Sequence, residues 1–408
     1  MPTIVGAEEL YGIWDNWLLT AIAALSENGE NKIYNGHTHL DRAYTLSPEY
    51  LEHVRLDPLR ASTSSLQTKQ DLMGYLHFGK GYSKEDLYVR MKAVLEKQLR
   101  HGTGKITSFI DASPDIGLRA IEQAVRLREE FAGKLELKIA VSPIFGFKEA
   151  LRWEIYQEAA KIADVLGGLP SKDERKDSIG FKGHVKKILE LGIQLGKPVH
   201  FQVDQGNDPR ETETEQLIQA VKWFGSPKVK GTPDEEPTVW AVHVISPSCY
   251  SEERFRRLID GLLENNIGVI CCPSAAISML QLRPILTPTH NSIARILEML
   301  ETGVRVIFGT DNIGDVFVPS GDGKVGSEAW CLTNILRFYS VAAWAKVCAG
   351  LPLNSIDKDG IREYLNRMEE GFKAQGLDPK KIYVPDDLIG RELTSFNGDT
   401  LIIKRLRK

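Results

Sequence analysis

Eight short runs of strand character, each followed by a helical stretch, constrain this chain more than any other feature. The runs fall at about 32–36, 105–111 (KITSFID), 135–142, 164–169, 198–203 (PVHFQV), 239–245 (VWAVHVI), 267–272 (IGVICC) and 304–309 (VRVIFG). Apolar residues recur at helical spacing near 83–100, 116–132, 148–163, 178–195, 211–223, 251–265 and 292–301, and Ser83-Lys84-Glu85-Asp86 caps the first of these. Strands that alternate with helices pair in parallel, and eight such units favour a closed (β/α)8 TIM barrel over an open doubly wound sheet. The 408 residues leave room for a barrel with appendages. An amphipathic helix is expected over 7–26, ending at Asn28-Gly29, with apolar helices over 327–348 and 359–374 and a short strand over 400–403. The expected organisation is an N-terminal helix in 1–30, the barrel in 31–350, and a largely helical extension in 351–408 packed on it.

Barrel enzymes carry their chemistry at the C-terminal ends of the strands, so the residues there decide what the chain can do. The first run ends in Gly36-His37-Thr38-His39-Leu40-Asp41-Arg42, where a period of two puts both imidazoles on one face. The fifth carries His200, the sixth His243, and the eighth runs into Asp311 in Phe308-Gly309-Thr310-Asp311-Asn312. Each alone has a plain structural reading: a core histidine, or a turn aspartate. Together they form a set suited to a divalent ion, Zn²⁺ or Fe²⁺, with one histidine to spare for proton transfer. The segment from 46 to 83 has no strong period, and a connection this long inside a compact domain suits an active-site lid.

A formal charge of −4 excludes a general attraction to nucleic acid or anionic membranes, and no apolar run is long enough to span a bilayer. Five sparse cysteines without a CxxC pair read as core thiols in a reducing compartment, and the N-terminus lacks the pattern of a secretory leader. The chain is therefore expected in the cytoplasm, as a homo-oligomer acting on a small-molecule substrate.

From about residue 33 to 350 the sequence resembles the amidohydrolase superfamily of metal-dependent hydrolases, and within it the cytosine deaminase branch. The pieces are GHTHLD (36–41), TSFIDAS (107–113), KIAVSPIFG (138–146), KPVHFQVD (197–204), VHVIS (242–246) and VIFGTDNIGD (306–315). The resemblance implies that His37, His39, His200 and Asp311 hold one divalent ion. It implies that His243 and Asp311 act in proton transfer as activated water attacks an sp2 carbon and ammonia leaves. The third and fourth strands end without a lysine to bridge a second ion, which favours a single metal.

Three departures stand out. The family's glutamate after the strand-5 histidine is replaced by Val203, and the base-reading glutamine after the strand-3 proline by Ile144. An aliphatic side chain neither relays a proton nor hydrogen-bonds a heterocycle, so cytosine itself is not the expected substrate. Strand alternation would place Gln202 and Asp204 on the inward face of His200, with Asp204 either replacing the missing acid or capping the following loop. The thirty residues before the first strand read as helix, so the β-sandwich of many members should be reduced or absent. Arg42, Arg283 and His290 could shape substrate preference, two arginines at a barrel mouth suiting a carboxylate, a phosphate or an anionic ring; Gln202 could contact the substrate, and Phe145, with Phe147 and Trp153, could offer a stacking wall. The expected function is deamination of a heterocycle; hydrolysis of a substituted amine or cyclic amide is the alternative, and a non-catalytic metal-binding sensor the second.

Overall fold

The computed structural model describes residues 13–27, 29, 31–51, 64–206, 208, 210–279, 285–286, 293–377, 393–396 and 400–404. Eight parallel strands form one sheet in sequence order: β1 Ile33–Thr38, β2 Thr103–Asp111, β3 Glu136–Ser142, β4 Val165–Gly168, β5 Val199–Val203, β6 Val239–His243, β7 Ile267–Cys271 and β8 Val306–Phe308. The ring closes where the two ends of that order meet. Thr38 bridges Asp311 in parallel, His39 N donates to Asp311 O at 3.1 Å, and Asp311 N donates to His37 O at 3.0 Å. A (β/α)8 barrel results, as the alternation predicts.

Each strand is buried on both faces, which is why its sequence reads as a nearly unbroken apolar run. Valine, isoleucine, leucine and phenylalanine fill the space between strands and helices. Glycine is needed where β8 crosses β1: a Cβ on Gly309 would lie 2.7 Å from His37 Cβ and 2.8 Å from His37 O. The close approach brings the two metal-type segments side by side.

Outside the barrel, helix Ile13–Ala23 packs on the helices after β8. The single helix expected over 327–348 is two, Val325–Leu336 and Val341–Cys348, because Arg337 takes a left-handed conformation (φ 54°) that no helix interior accommodates. Helix Ser355–Ala374 opens with a capping box, in which Asn354 accepts from Asp357 N at 3.0 Å and Asp357 accepts from Asn354 N at 3.0 Å. Leu393–Phe396, Thr400–Lys404 and Ile285–Leu286 form a small antiparallel sheet. No helix among the described residues is long and apolar enough to cross a membrane.

Candidate active site

The strand ends at the C-terminal mouth bring four of the expected residues into one place. His37 Nε2 and His39 Nε2 lie 3.4 and 3.2 Å from the same oxygen, Oδ1 of Asp311. One donor atom from each of the three falls within 4.8 Å of the others. The ring of His243 is 5.6 Å from that of His37, centre to centre. His200 stands beyond this tight group; its ring is 6.5 Å from that of Phe109, which in turn lies 4.6 Å from the ring of His37.

Geometry and burial make these good ligands. Burial lowers His200 to about 3 and His243 to about 4; burial, then the Arg42 charge, lowers His39 to about 3. The rings are neutral at pH 7, as ligation requires. Both nitrogens of His37 and of His243, and Nδ1 of His200, are buried without a hydrogen-bond partner among the described residues. Buried polar atoms are rarely left this way, and a cluster of them fits a cation site. His243 (φ 81°) and Asp311 (φ 52°) also hold left-handed backbone conformations, a strain that recurs at functional sites.

Arg42 lies behind His39, its Nη2 2.7 Å from Nδ1. A guanidinium only donates, so Nδ1 accepts and the ring proton sits on Nε2, toward Asp311. Ligation through Nε2 would move that proton to Nδ1 and require Arg42 to turn. A second acceptor is at hand: Asp111 Oδ1, buried and without a hydrogen-bond partner, lies 3.6 Å from the same Nη2.

Behind this ligand wall is a buried network that sequence reasoning passed over. Tyr82 Oη lies 3.0 Å from Asp41 Oδ2 and 3.2 Å from Asp111 Oδ2, and Asp111 N donates to Asp41 Oδ2 at 2.8 Å. His77 reaches Asp111 at 3.4 Å and Asp115 at 2.7 Å. Burial works to lower His77, but its two carboxylate partners raise it to about 9, so it is an imidazolium at pH 7. The signal was present in the motifs: Asp41 ends GHTHLD and Asp111 sits in TSFIDAS.

Other expected residues fall differently. Arg42 and Gln202 line the cavity above the ligand cluster, with Ile144. Asp204 is a correction: β5 ends at Val203, and a φ of 49° at Asp204 breaks the alternation. Its carboxylate accepts the amides of Glu213 and Thr214 at 2.9 and 3.0 Å, staples helix Glu213–Phe224 to the strand, and is fully buried. The capping alternative therefore describes it. Phe145 is a second correction: its ring turns onto His77 (5.4 Å), Phe147 stacks on His184 (4.6 Å), and the aromatic in the cavity wall is Phe317. Arg283 and His290 lie outside the described residues. The connection from 46 to 83 supplies helix Leu66–Asp71, whose Leu66 and Gln70 line the cavity.

No family model matches the sequence. An uncharacterized protein of Haemophilus influenzae is 30% identical over 266 residues, 65% of this chain and 89% of that protein. The 5-methylcytosine deaminase of Klebsiella pneumoniae, solved with 5-fluorocytosine, matches with a TM-score of 0.64 at 21% identity, over 76% of this chain and 70% of that one. N-isopropylammelide isopropylaminohydrolase of Burkholderia multivorans matches with a TM-score of 0.59 at 20% identity, over 78% of this chain and 72% of that one. Both likenesses to solved structures are likenesses of fold.

Proposed function

The chain belongs to one family with the Haemophilus influenzae protein and has the barrel of the amidohydrolase superfamily, and from this we propose that it is a metal-dependent hydrolase of C–N bonds other than peptide bonds, releasing ammonia from an aminated heterocycle. The observation that carries this reading is the gathering of His37, His39 and Asp311 within 4.8 Å at the barrel mouth, beside His243.

His37, His39, His200 and Asp311 would hold one divalent ion, zinc or iron. When bound, such an ion supplies a Lewis acid and lowers the pKa of water to about 7. The chain's own groups do the rest. Asp311 accepts the proton of the attacking water as oxygen bonds to the ring carbon that bears nitrogen. His243, neutral and with both ring nitrogens unpartnered among the described residues, stabilises the charge that develops on the ring, and the proton held by Asp311 passes to the departing nitrogen. Breaking the C–N bond gives ammonia and a ring carbonyl. Leu66 and Phe317 line the cavity.

A second reading is hydrolysis of a substituted amine. It is favoured by Ile144, which puts an aliphatic wall in the cavity, and by Val203, which is buried in the core and offers no acid. Ammonia release should be measured on a panel of aminated pyrimidines, pterins, purines and triazines, with protein loaded separately with Zn²⁺ and Fe²⁺. Release that falls at least about a thousandfold in Asp311→Asn supports deamination. Silence with metal bound stoichiometrically moves the reading to amine or amide hydrolysis; no bound metal and no turnover would end both.

A further inference from the structure

Above the ligand cluster the site opens into a larger chamber. The inner cavity has about 20 Å³ of free space and the outer chamber about 430 Å³, so a substrate at the cluster extends into the chamber. Leu66, Gln70, Gln205, Met279 and Phe317 line both, so the two are continuous.

At that seam stand two amides. Gln70 is 5% exposed and Gln205 7%, neither side chain has a hydrogen-bond partner among the described residues, and their amide atoms are not closed off from solvent, so what remains exposed of them opens on the chamber. Further out, the chamber is lined by the hydroxyls of Ser65, Ser171 and Ser278. Of the charged groups there, Asp208 is paired with Arg210, burial pushes the carboxyls of Glu211 (to about 8) and Glu213 up, and burial lowers the half-buried Lys69, against the charge of Asp315.

We propose that the outer chamber is a subsite for an uncharged, hydroxyl- or carbonyl-bearing arm of the substrate, read by Gln70 and Gln205, so that the enzyme acts on a substituted heterocycle and not on a free base. The proposal rests on the hydrolase reading for the reaction but not for the binding. An amide offers one acceptor and two donors without charge, which a neutral polar group satisfies on both sides. An apolar arm would expel water and leave both amides unpaired. A carboxylate arm would use only their donors, an ammonium arm only their acceptors.

The test is calorimetric titration of the metal-loaded protein with three product-like probes: uridine, 1-butyluracil and 1-carboxymethyluracil. Uridine should bind at least tenfold more tightly than either of the others. In Gln70→Met and in Gln205→Met that preference should shrink to less than threefold, with the thermal midpoint unchanged. Equal or weaker binding of uridine, binding of no probe, or a preference that survives both variants would overturn the subsite. Ammonia release measured on the same preparations separates the two ideas. Release without the preference removes the subsite alone, whereas the preference without metal or release removes the hydrolase and leaves the subsite standing.

Discussion

Two walls of one cavity are built in opposite ways. On the side of β1 and β2, behind His39, charged and hydroxyl groups are locked to one another: Arg42 to His39, Tyr82 to Asp41 and Asp111, His77 to Asp111 and Asp115, and Arg90 to the carbonyls of Asp41 and Ala43 at 2.9 and 2.6 Å. On the side of β5 and helix Leu66–Asp71, Gln70, Gln202 and Gln205 are almost as deeply buried but have no partners among the described residues. The first wall is tied together within the fold and holds ligands in place, although Asp41 Oδ1, Arg42 Nε and Asp111 Oδ1 have no partner among the described residues; the second opens its amides on the chamber, for something that arrives.

The sharpest way to break this contrast is Asp111→Asn. The substitution removes the charge that lies between the Arg42 guanidinium and the His77 imidazolium. Leaving buried cations without their anion costs about 3–5 kcal/mol, and urea unfolding should show a loss of that size. A loss below about 1 kcal/mol would mean that the first wall is no more committed than the second. Tyr82→Phe should cost less, about 1–3 kcal/mol, because it removes one donor shared between two carboxylates. Circular dichroism melts would rank the two variants.

How far these walls could be read from the sequence depends on the reach of the interactions. The barrel was legible because eight alternating runs are a local pattern repeated often enough to leave few topologies. His37, His39, His243 and Asp311 were legible because strand ends all open on one mouth. The Asp41–Tyr82–Asp111–His77 network was not: its members come from β2, the turn after β1 and a connection without period, and only the folded backbone brings them together. Asp204 failed for a local reason, since alternation holds only while the strand lasts and its φ of 49° ends it. The break at Arg337 was hidden likewise, an apolar stretch giving no sign of a left-handed residue.

The second wall gives the smaller stability effects. Gln202→Leu exchanges an unpartnered amide for an apolar side chain of similar size, and its unfolding free energy should stay within about 0.5 kcal/mol of the parent. Affinity for a product-like heterocycle should fall in the same variant. A stability loss comparable to that of Tyr82→Phe would show that the amide is bonded in the free protein, and the two walls would then be alike.

The smallest effect is a slope against pH. Burial, and then the charge of Asp204, raises the Glu211 carboxyl from 4.5 to about 8. A group raised on folding adds stability that is full below its ordinary pKa and is lost as pH rises through the folded value. The carboxyl contribution should therefore fade between about pH 4.5 and 8. His77, raised from 6.5 to about 9, has the same sign, with its loss between about 6.5 and 9. With thermal midpoints recorded from pH 5 to 9, the advantage of the parent over Glu211→Gln should shrink between about pH 5 and 8, and its advantage over His77→Gln between about pH 6.5 and 9. Parallel curves in parent and Glu211→Gln would mean that this carboxyl is ionised in the folded protein, and the outer chamber would then be anionic, suited to an ammonium arm in place of a neutral one.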